Sequence, residues 1–232
     1  MDVEYLDHMG NDLAVVNAAR VSFSKTSEWL PSGSTSDYPD VVYQNIDGNP
    51  VNLKQGDHKL IQYLARHNHW TPFAHTAIKL RVSAPVPIRT QCFKHKSGLV
   101  ENEESRRYIT TTPELFIPDS FREAPMGNVK QGSGEAHYFS KQWLDLYQRV
   151  GKEAIAYYQM MIDAGICPEQ ARFILPQGVE VNWVWTGNLA SYARFFNQRT
   201  DPHAQKEIQY LAEEVGAIIE PLFPVSWKAL TA

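Results

Sequence analysis

The sequence predicts a single α/β domain of mixed α+β type, a mixed sheet flanked by helices, and three observations carry that expectation. Strand-like and helix-like segments interleave along the 232 residues without the regular alternation that builds a parallel βαβ sheet. Neither GxGxxG nor GxxxxGK followed by Ser or Thr occurs, so a Rossmann unit and a P-loop both lack support. The length suits one core, and 43% hydrophobic with 21% charged residues is a globular balance. No repeat at solenoid periods is visible, so the domain runs from 1 to 232.

The first predicted element is a helix over 10–20, with Asn11 or Asp12 as N-cap and Leu13, Val16 and Ala19 on one side. Residues 24–55, rich in Ser, Asp, Gly and Pro and carrying the turn signal Asp47-Gly48-Asn49-Pro50, read as a surface insertion. A short helix follows from about Asp57 to His67, with Leu60, Ile61 and Leu64 at helical spacing. Pro72 marks a turn, and Ile78, Leu80 and Val82 then alternate with Lys79, Arg81 and Ser83 as a half-buried strand. Pro85 and Pro87 break it, and Pro87 suits the first turn of a helix running to about His95.

A polar loop over 96–104 and a strand over 106–110 come next, then a long connection over 111–134. The strongest helical pattern covers 135–164. Its stripe of Phe139, Trp143, Leu146, Val150, Ala154, Tyr157 and Met161 fits core or a subunit interface, and Gly165 suits a C-terminal cap. Pro168 opens a short helix that stops before Pro176, 179–185 reads as a strand, and Asn188 caps a helix over 189–199. Asp201-Pro202 is the predicted start of a final helix.

A formal charge of −4 argues against a general nucleic-acid binder, so anion binding must come from local clusters of cations. Two cysteines, Cys92 and Cys167, cannot build a disulfide framework and lack CxxC spacing, which points to a reducing, cytoplasmic compartment. No run approaches a membrane span and the acidic start is no signal peptide, so the chain reads as soluble and untargeted.

Three clusters carry chemistry. The densest is the run from Arg89 to Lys96 followed by the run from Glu101 to Tyr108, in which Lys94, His95, Lys96, Arg106 and Arg107 concentrate cationic donors suited to phosphate, and Gln91 and Glu103 suit the edge of a base or a ribose. The bland alternative is a solvated charged loop. Arg172, Asn188, Arg194, Asn197, Arg199, Asp201 and His203 form a second set, in which helix termini also favour an anion. His67, His69 and His75 invite a metal reading, but no HExxH motif accompanies them and no metal site is expected.

The run Lys94-His95-Lys96 followed by Ser105-Arg106-Arg107-Tyr108 resembles the motif of flavin-dependent thymidylate synthases, an RHR triplet, seven or eight residues, then Ser-x-Arg. Segments 9–23, 67–75, 169–176 and 197–209 look like other segments of that family, in the family's order. The resemblance covers most of the chain outside 24–55 and 111–134, and implies the thymidylate synthase-complementing fold. It implies reductive methylation of dUMP to dTMP, with FAD as cofactor, 5,10-methylenetetrahydrofolate as carbon donor and NADPH as reductant. It also implies a homotetramer whose active sites are shared among subunits. Carried over residue by residue, the dUMP site falls on Gln91, Glu103, Ser105, Arg106, Arg107, Arg172 and Arg199. The flavin contacts fall on Ser22, His69, Thr71, Lys94, His95, Lys96, Asn102, Glu103, Asn188, Arg194 and His203.

The chain departs from the family where lysines replace the two arginines around His95, losing the paired fork but keeping the charge. Ala190 stands where an arginine is common, and Arg194 where a neutral Asn is common. Cys92 is the tempting nucleophile but reads as a small buried hydrophobe, and Ser105 has no identifiable base. The implied route leaves the hard chemistry to flavin. Arg199 and Ser105 are then the catalytic candidates, Arg199 stabilising charge on the uracil ring and Ser105 holding phosphate. Two rival readings are a non-catalytic nucleotide- or RNA-binding module on the basic loop and a metal-dependent hydrolase on the three histidines.

Overall fold

The alternation of Ile78, Leu80 and Val82 places the strand β5 (Ala77–Pro85) at the centre of the molecule, with these residues and Ala84 buried. The computed structural model describes residues 1–31, 43–45, 47–127 and 132–232. On one side β5 pairs with β1 (Asp2–Met9), on the other with β7 (Glu180–Gly187), and β7 pairs with β6 (Leu99–Glu103). The order is β1-β5-β7-β6, and each pairing is antiparallel. The sheet expected to be mixed is therefore antiparallel within a mixed α/β domain.

Val181, Trp183 and Trp185 alternate on the buried face of β7. Helix α6 (Leu189–Arg199) folds back onto them, and the Trp185 ring meets Tyr192 at 5.3 Å and Phe195 at 4.9 Å, both edge-on. Phe93, just after helix α3 (Val86–Cys92), meets Trp183 edge-on at 5.5 Å. Truncating such a buried aromatic costs about 3–5 kcal/mol, so this stack fixes α6 and α3 relative to the sheet. Helices α7 (Lys206–Ile219) and α8 (Pro224–Thr231) pack on α6, and α2 (Gln55–Arg66) packs on α8.

Asn11 caps helix α1 (Asp12–Arg20) by accepting from the Ala14 N–H at 3.0 Å. Asp12 points inward instead. Its buried carboxylate accepts from the Tyr43 hydroxyl at 2.6 Å and from the Val225 and Ser226 N–H groups at 2.9 Å each. Burial pushes the carboxyl up, and these donors to its charged form act against that push. One side chain thus joins the first helix, Tyr43 and the open N–H groups at the start of α8.

Several local expectations need correction. Segment 24–55 is not confined to the surface where it is described: Ser27, Tyr43, Val51, Asn52 and Leu53 are buried. A three-stranded sheet of β2 (Leu30–Pro31), β4 (Pro50–Asn52) and β3 (Tyr43–Gln44) carries part of it, and 32–42 and 46 lie outside the described residues. Strand β1 has no apolar alternation to announce it, because none of its residues is fully buried. The polar loop expected over 96–104 contains β6, an edge strand in which only Leu99 is buried. The strand expected over 106–110 is a turn in which the Ser105 carbonyl accepts from the Tyr108 and Ile109 N–H groups.

The long helix α4 runs Ser140–Asp163, starting late because 134–137 hydrogen-bond to 121–123 instead. Its stripe is not core. Trp143 is 50% exposed and Val150 53%, while Gly151, Ile155 and Tyr158 form the buried side. Gly165, at φ +83°, ends the helix as expected. Pro168 opens helix α5 (Pro168–Ala171), which continues as a 3-10 turn to Ile174. Asp201 caps a tight turn rather than a helix: its carbonyl accepts from Ala204 and its side chain from the His203 N–H, both at 2.8 Å. Gln205 takes the N-cap position of α7.

Candidate active site

Strand β6 delivers Glu103 to the mouth of a cleft of about 380 Å³, and the turn after it brings Glu104, Ser105 and Arg106. Helix α3 contributes Arg89, and the 3-10 turn after α5 contributes Arg172. Arg89 lies 3.5 Å from Glu103, and Arg106 lies 3.7 Å from Glu104, whose other oxygen accepts from Asn182 at 3.1 Å. Arg106 also donates to the Thr111 carbonyl. Among the described residues Arg172 donates to one backbone acceptor, the Glu169 carbonyl at 3.3 Å. Three guanidinium groups against two carboxylates leave one positive charge in excess. The Arg89 Nε is buried and has no hydrogen-bond partner among the described residues, a donor left open. Burial raises the Glu103 carboxyl, and Arg89 and Arg172 pull it back.

A second group lies on the turn after α3. His95 is buried, its ring edge-on to Phe195 at 5.1 Å, and its Nε2 accepts from the Arg199 Nε at 2.9 Å. Burial and then the Arg199 and Arg194 charges lower His95 to about 4, so the ring is neutral at pH 7. Arg194 donates to the Ser97 carbonyl, Lys96 pairs with Glu101 and lies 5.3 Å over the Phe93 ring, and Lys94 is exposed. Asn188 caps α6 by accepting from the Ser191 N–H at 2.9 Å. Gly98, at φ +75°, lets this turn press onto α6: a Cβ there would sit 2.2 Å from the Ser191 Oγ.

The third group stays at the surface. His69 and His67 cluster with the Tyr63 ring at the end of α2, and Trp70 is exposed beside them. Thr71 opens a 3-10 turn that packs against α6. Among the described residues no group of three or more His, Cys, Asp or Glu is placed to hold a metal ion. Ser22 is exposed in the 3-10 turn after α1, and His203 is exposed in the turn before α7.

The structure therefore gathers Glu103, Ser105, Arg106 and Arg172 in one cleft, and Lys94, His95, Lys96, Asn188, Arg194 and Arg199 around one turn. Three candidates lie outside the lining of that cleft and are engaged or exposed elsewhere. Arg107 meets Glu169 at 3.1 Å, Gln91 donates to Gln205 at 2.8 Å, and Asn102 is exposed on β6 opposite Val184. The candidate set omits Arg89 and Glu104, although Arg89 heads the cation-rich run, which is the available signal. Cys92 is buried beneath the site. Burial pushes its thiol up to about 12, more than Arg199 pulls it down, so the thiolate that attack requires is not populated.

A family model described as thymidylate synthase complementing protein matches residues 4–225. A flavin-dependent thymidylate synthase of Thermus thermophilus is 31% identical over 98% of this chain and 74% of its own length. One of Thermotoga neapolitana is 32% identical over 98% of this chain and 89% of its own. Among solved structures, the UMP/dUMP methylase PolB of Streptomyces cacaoi, bound with 5-Br dUMP, superposes with a TM-score of 0.80 at 29% identity. That match covers 99% of this chain and 94% of the other.

Proposed function

The chain belongs to the family of thymidylate synthase complementing proteins, and from that premise we propose that it methylates dUMP to dTMP with FAD, 5,10-methylenetetrahydrofolate and NADPH. The observation that carries the reading is the cleft with one excess positive charge and an open buried Arg89 N–H. Its volume of about 380 Å³ lies in the range of ligand pockets.

In this reading Arg106, Arg172 and the Ser105 hydroxyl hold the phosphate. Arg172 contributes most, because among the described residues it forms no direct ion pair and hydrogen-bonds a backbone carbonyl. Arg107 joins them by leaving Glu169: the pair is half exposed, and such pairs contribute under about 1 kcal/mol. Glu103 and Gln91 position sugar and base. Arg199 supplies the charge that stabilises an electron-rich uracil. Its Nε is engaged by His95, and its terminal nitrogens make no protein hydrogen bond among the described residues.

The residues around His95 fit a flavin dinucleotide by the chemistry of their donors. Lys94, Lys96 and Arg194 are exposed cations suited to its diphosphate, and neutral His95 and Asn188 offer polar contacts. Ser22, His69, Thr71, Asn102, Glu103 and His203 complete the proposed contacts. When bound, the flavin supplies hydride transfer from the nicotinamide to the transferred carbon.

The separation of these groups is the reason to propose a homotetramer with sites shared among subunits. The exposed α4 stripe provides an apolar surface for that assembly. Two free cysteines, Cys92 and Cys167, support a reducing, cytoplasmic setting. Among the described residues no helix is long and apolar enough to cross a membrane.

Purified protein is expected to show the two flavin absorption bands, to bleach anaerobically with NADPH, and to make dTMP only with dUMP and methylenetetrahydrofolate. UMP is assayed beside dUMP, because the structural neighbour is described as a methylase of both. A colourless protein that takes up no added FAD overturns the reading.

A further inference from the structure

Gln91 is a carboxamide, and a carboxamide can present either its carbonyl oxygen or its amide group to a ligand. Which one it presents here is set by a chain of side chains that reaches away from the cleft. The Gln91 Nε2 donates to the Gln205 Oε1 at 2.8 Å, and the Gln205 Nε2 donates to the Glu207 Oε2 at 2.8 Å. The other Glu207 oxygen accepts from Arg122, whose Nε donates to the Ser133 hydroxyl at 2.7 Å. Three separate parts of the fold meet in this row: α3, the N-terminal turn of α7, and the connection before α4.

The row runs one way because of its charged end. Glu207 is buried, and although burial alone raises its carboxyl, the hydrogen bonds from Arg122 and Gln205 lower it overall, so it is ionised. An ionised carboxylate only accepts, so Gln205 must turn its amide group toward Glu207 and its carbonyl toward Gln91. Gln91 must then turn its own amide toward Gln205. Its carbonyl oxygen, which has no protein partner among the described residues, is turned away from Gln205 and left free to accept.

We propose that Glu207, acting through Gln205, is a positioning residue that makes Gln91 a hydrogen-bond acceptor toward the nucleotide. The matching donor on the substrate is an N–H or O–H, the imide N–H of a uracil ring or a sugar hydroxyl. The proposal rests on the reading of Gln91 as a nucleotide contact. A first-turn acid on α7 that merely anchors the connection through Arg122 is the simpler role, and the two roles separate in a double-mutant cycle.

Glu207→Gln removes the fixed polarity, since a carboxamide at that position can donate or accept. Gln91→Glu sets a permanent acceptor on α3 but faces it with the Gln205 carbonyl. In the combined variant the row reverses. Gln205 turns its amide to the new carboxylate on α3 and its carbonyl to the new carboxamide on α7, which restores an acceptor toward the nucleotide. Steady-state kinetics on the FAD-loaded enzyme should show each single change raising the dUMP KM about fivefold with kcat within about twofold, the size of one net hydrogen bond. The double variant should return to within about twofold of the parent.

Loss of the charged Arg122 partner is common to Glu207→Gln and the double variant, so weakened anchoring cannot produce that recovery. Multiplying effects in the double variant overturn the proposal. So does an unchanged KM in Glu207→Gln when Gln91→Ala raises it, which leaves the nucleotide contact standing. An unchanged KM in Gln91→Ala removes that contact and the proposal with it.

Discussion

The Nε of Arg199 sits 2.9 Å from the Nε2 of His95, and that contact decides which ring nitrogen carries the hydrogen as well as the ring's orientation. A nitrogen that accepts from a guanidinium cannot carry a proton, so the neutral ring holds its hydrogen on Nδ1. The imidazole in turn holds the guanidinium rigid at the end of α6.

A rigid donor serves developing charge better than a mobile one. Arg199→Lys is expected to lower kcat about a hundredfold, with FAD content and assembly unchanged. Kinetics with dUMP as the varied substrate test this. A raised KM at unchanged kcat would make Arg199 another phosphate contact.

The burial of His95, reinforced by Arg199 and Arg194, predicts a pH dependence of stability. The folded-state value of His95 is lowered from 6.5 to about 4, so between these values the unfolded chain binds a proton that the native state does not. The contribution is fully present above about 6.5 and is lost as pH falls toward 4. Denaturant titrations across that window should show stability falling with pH, and His95→Gln should flatten the slope. An equal slope in both proteins would assign the effect to other groups.

Cys92 is expected to be dispensable for chemistry. Cys92→Ala should keep turnover within roughly tenfold and lose about 1 kcal/mol of stability, the cost of a small cavity in a packed site. Inactivation with FAD still bound and the fold intact would revive a thiol mechanism.

The α4 stripe is expected to hold subunits together. Leu146→Lys combined with Val150→Lys alters side chains exposed on the single chain, so circular dichroism should stay unchanged. Light scattering should report smaller species, and activity should fall with assembly because sites are shared. A parental mass would place the interface elsewhere.

How far the sequence announces this structure depends on how each element is buried. Strands β5 and β7 alternate cleanly because one face packs against helices, and their patterns are legible residue by residue. Strands β1 and β6 are edges held by pairing with a neighbour, and hydrogen bonding to a partner leaves no trace in local hydrophobicity. The α4 stripe is legible as a stripe, but periodicity cannot say whether a partner segment or a partner chain covers it. Glu103, Ser105, Arg106 and Arg172 line one cleft, and sequence separation alone does not announce that Arg172 joins the other three. The relay through Gln205 and Glu207 is invisible in the sequence, because its direction depends on side chains more than a hundred positions apart.

The carboxylate of Asp12 also sets an order of events during synthesis. Its acceptors are filled by residues 225 and 226, separated from it by more than two hundred positions. Until those residues leave the ribosome, the Asp12 carboxylate stays hydrated and its bonds to the start of α8 cannot form, so the first helix to be made is among the last to be locked. Such a long-range closure slows folding and prolongs the exposure of apolar surface in the nascent chain.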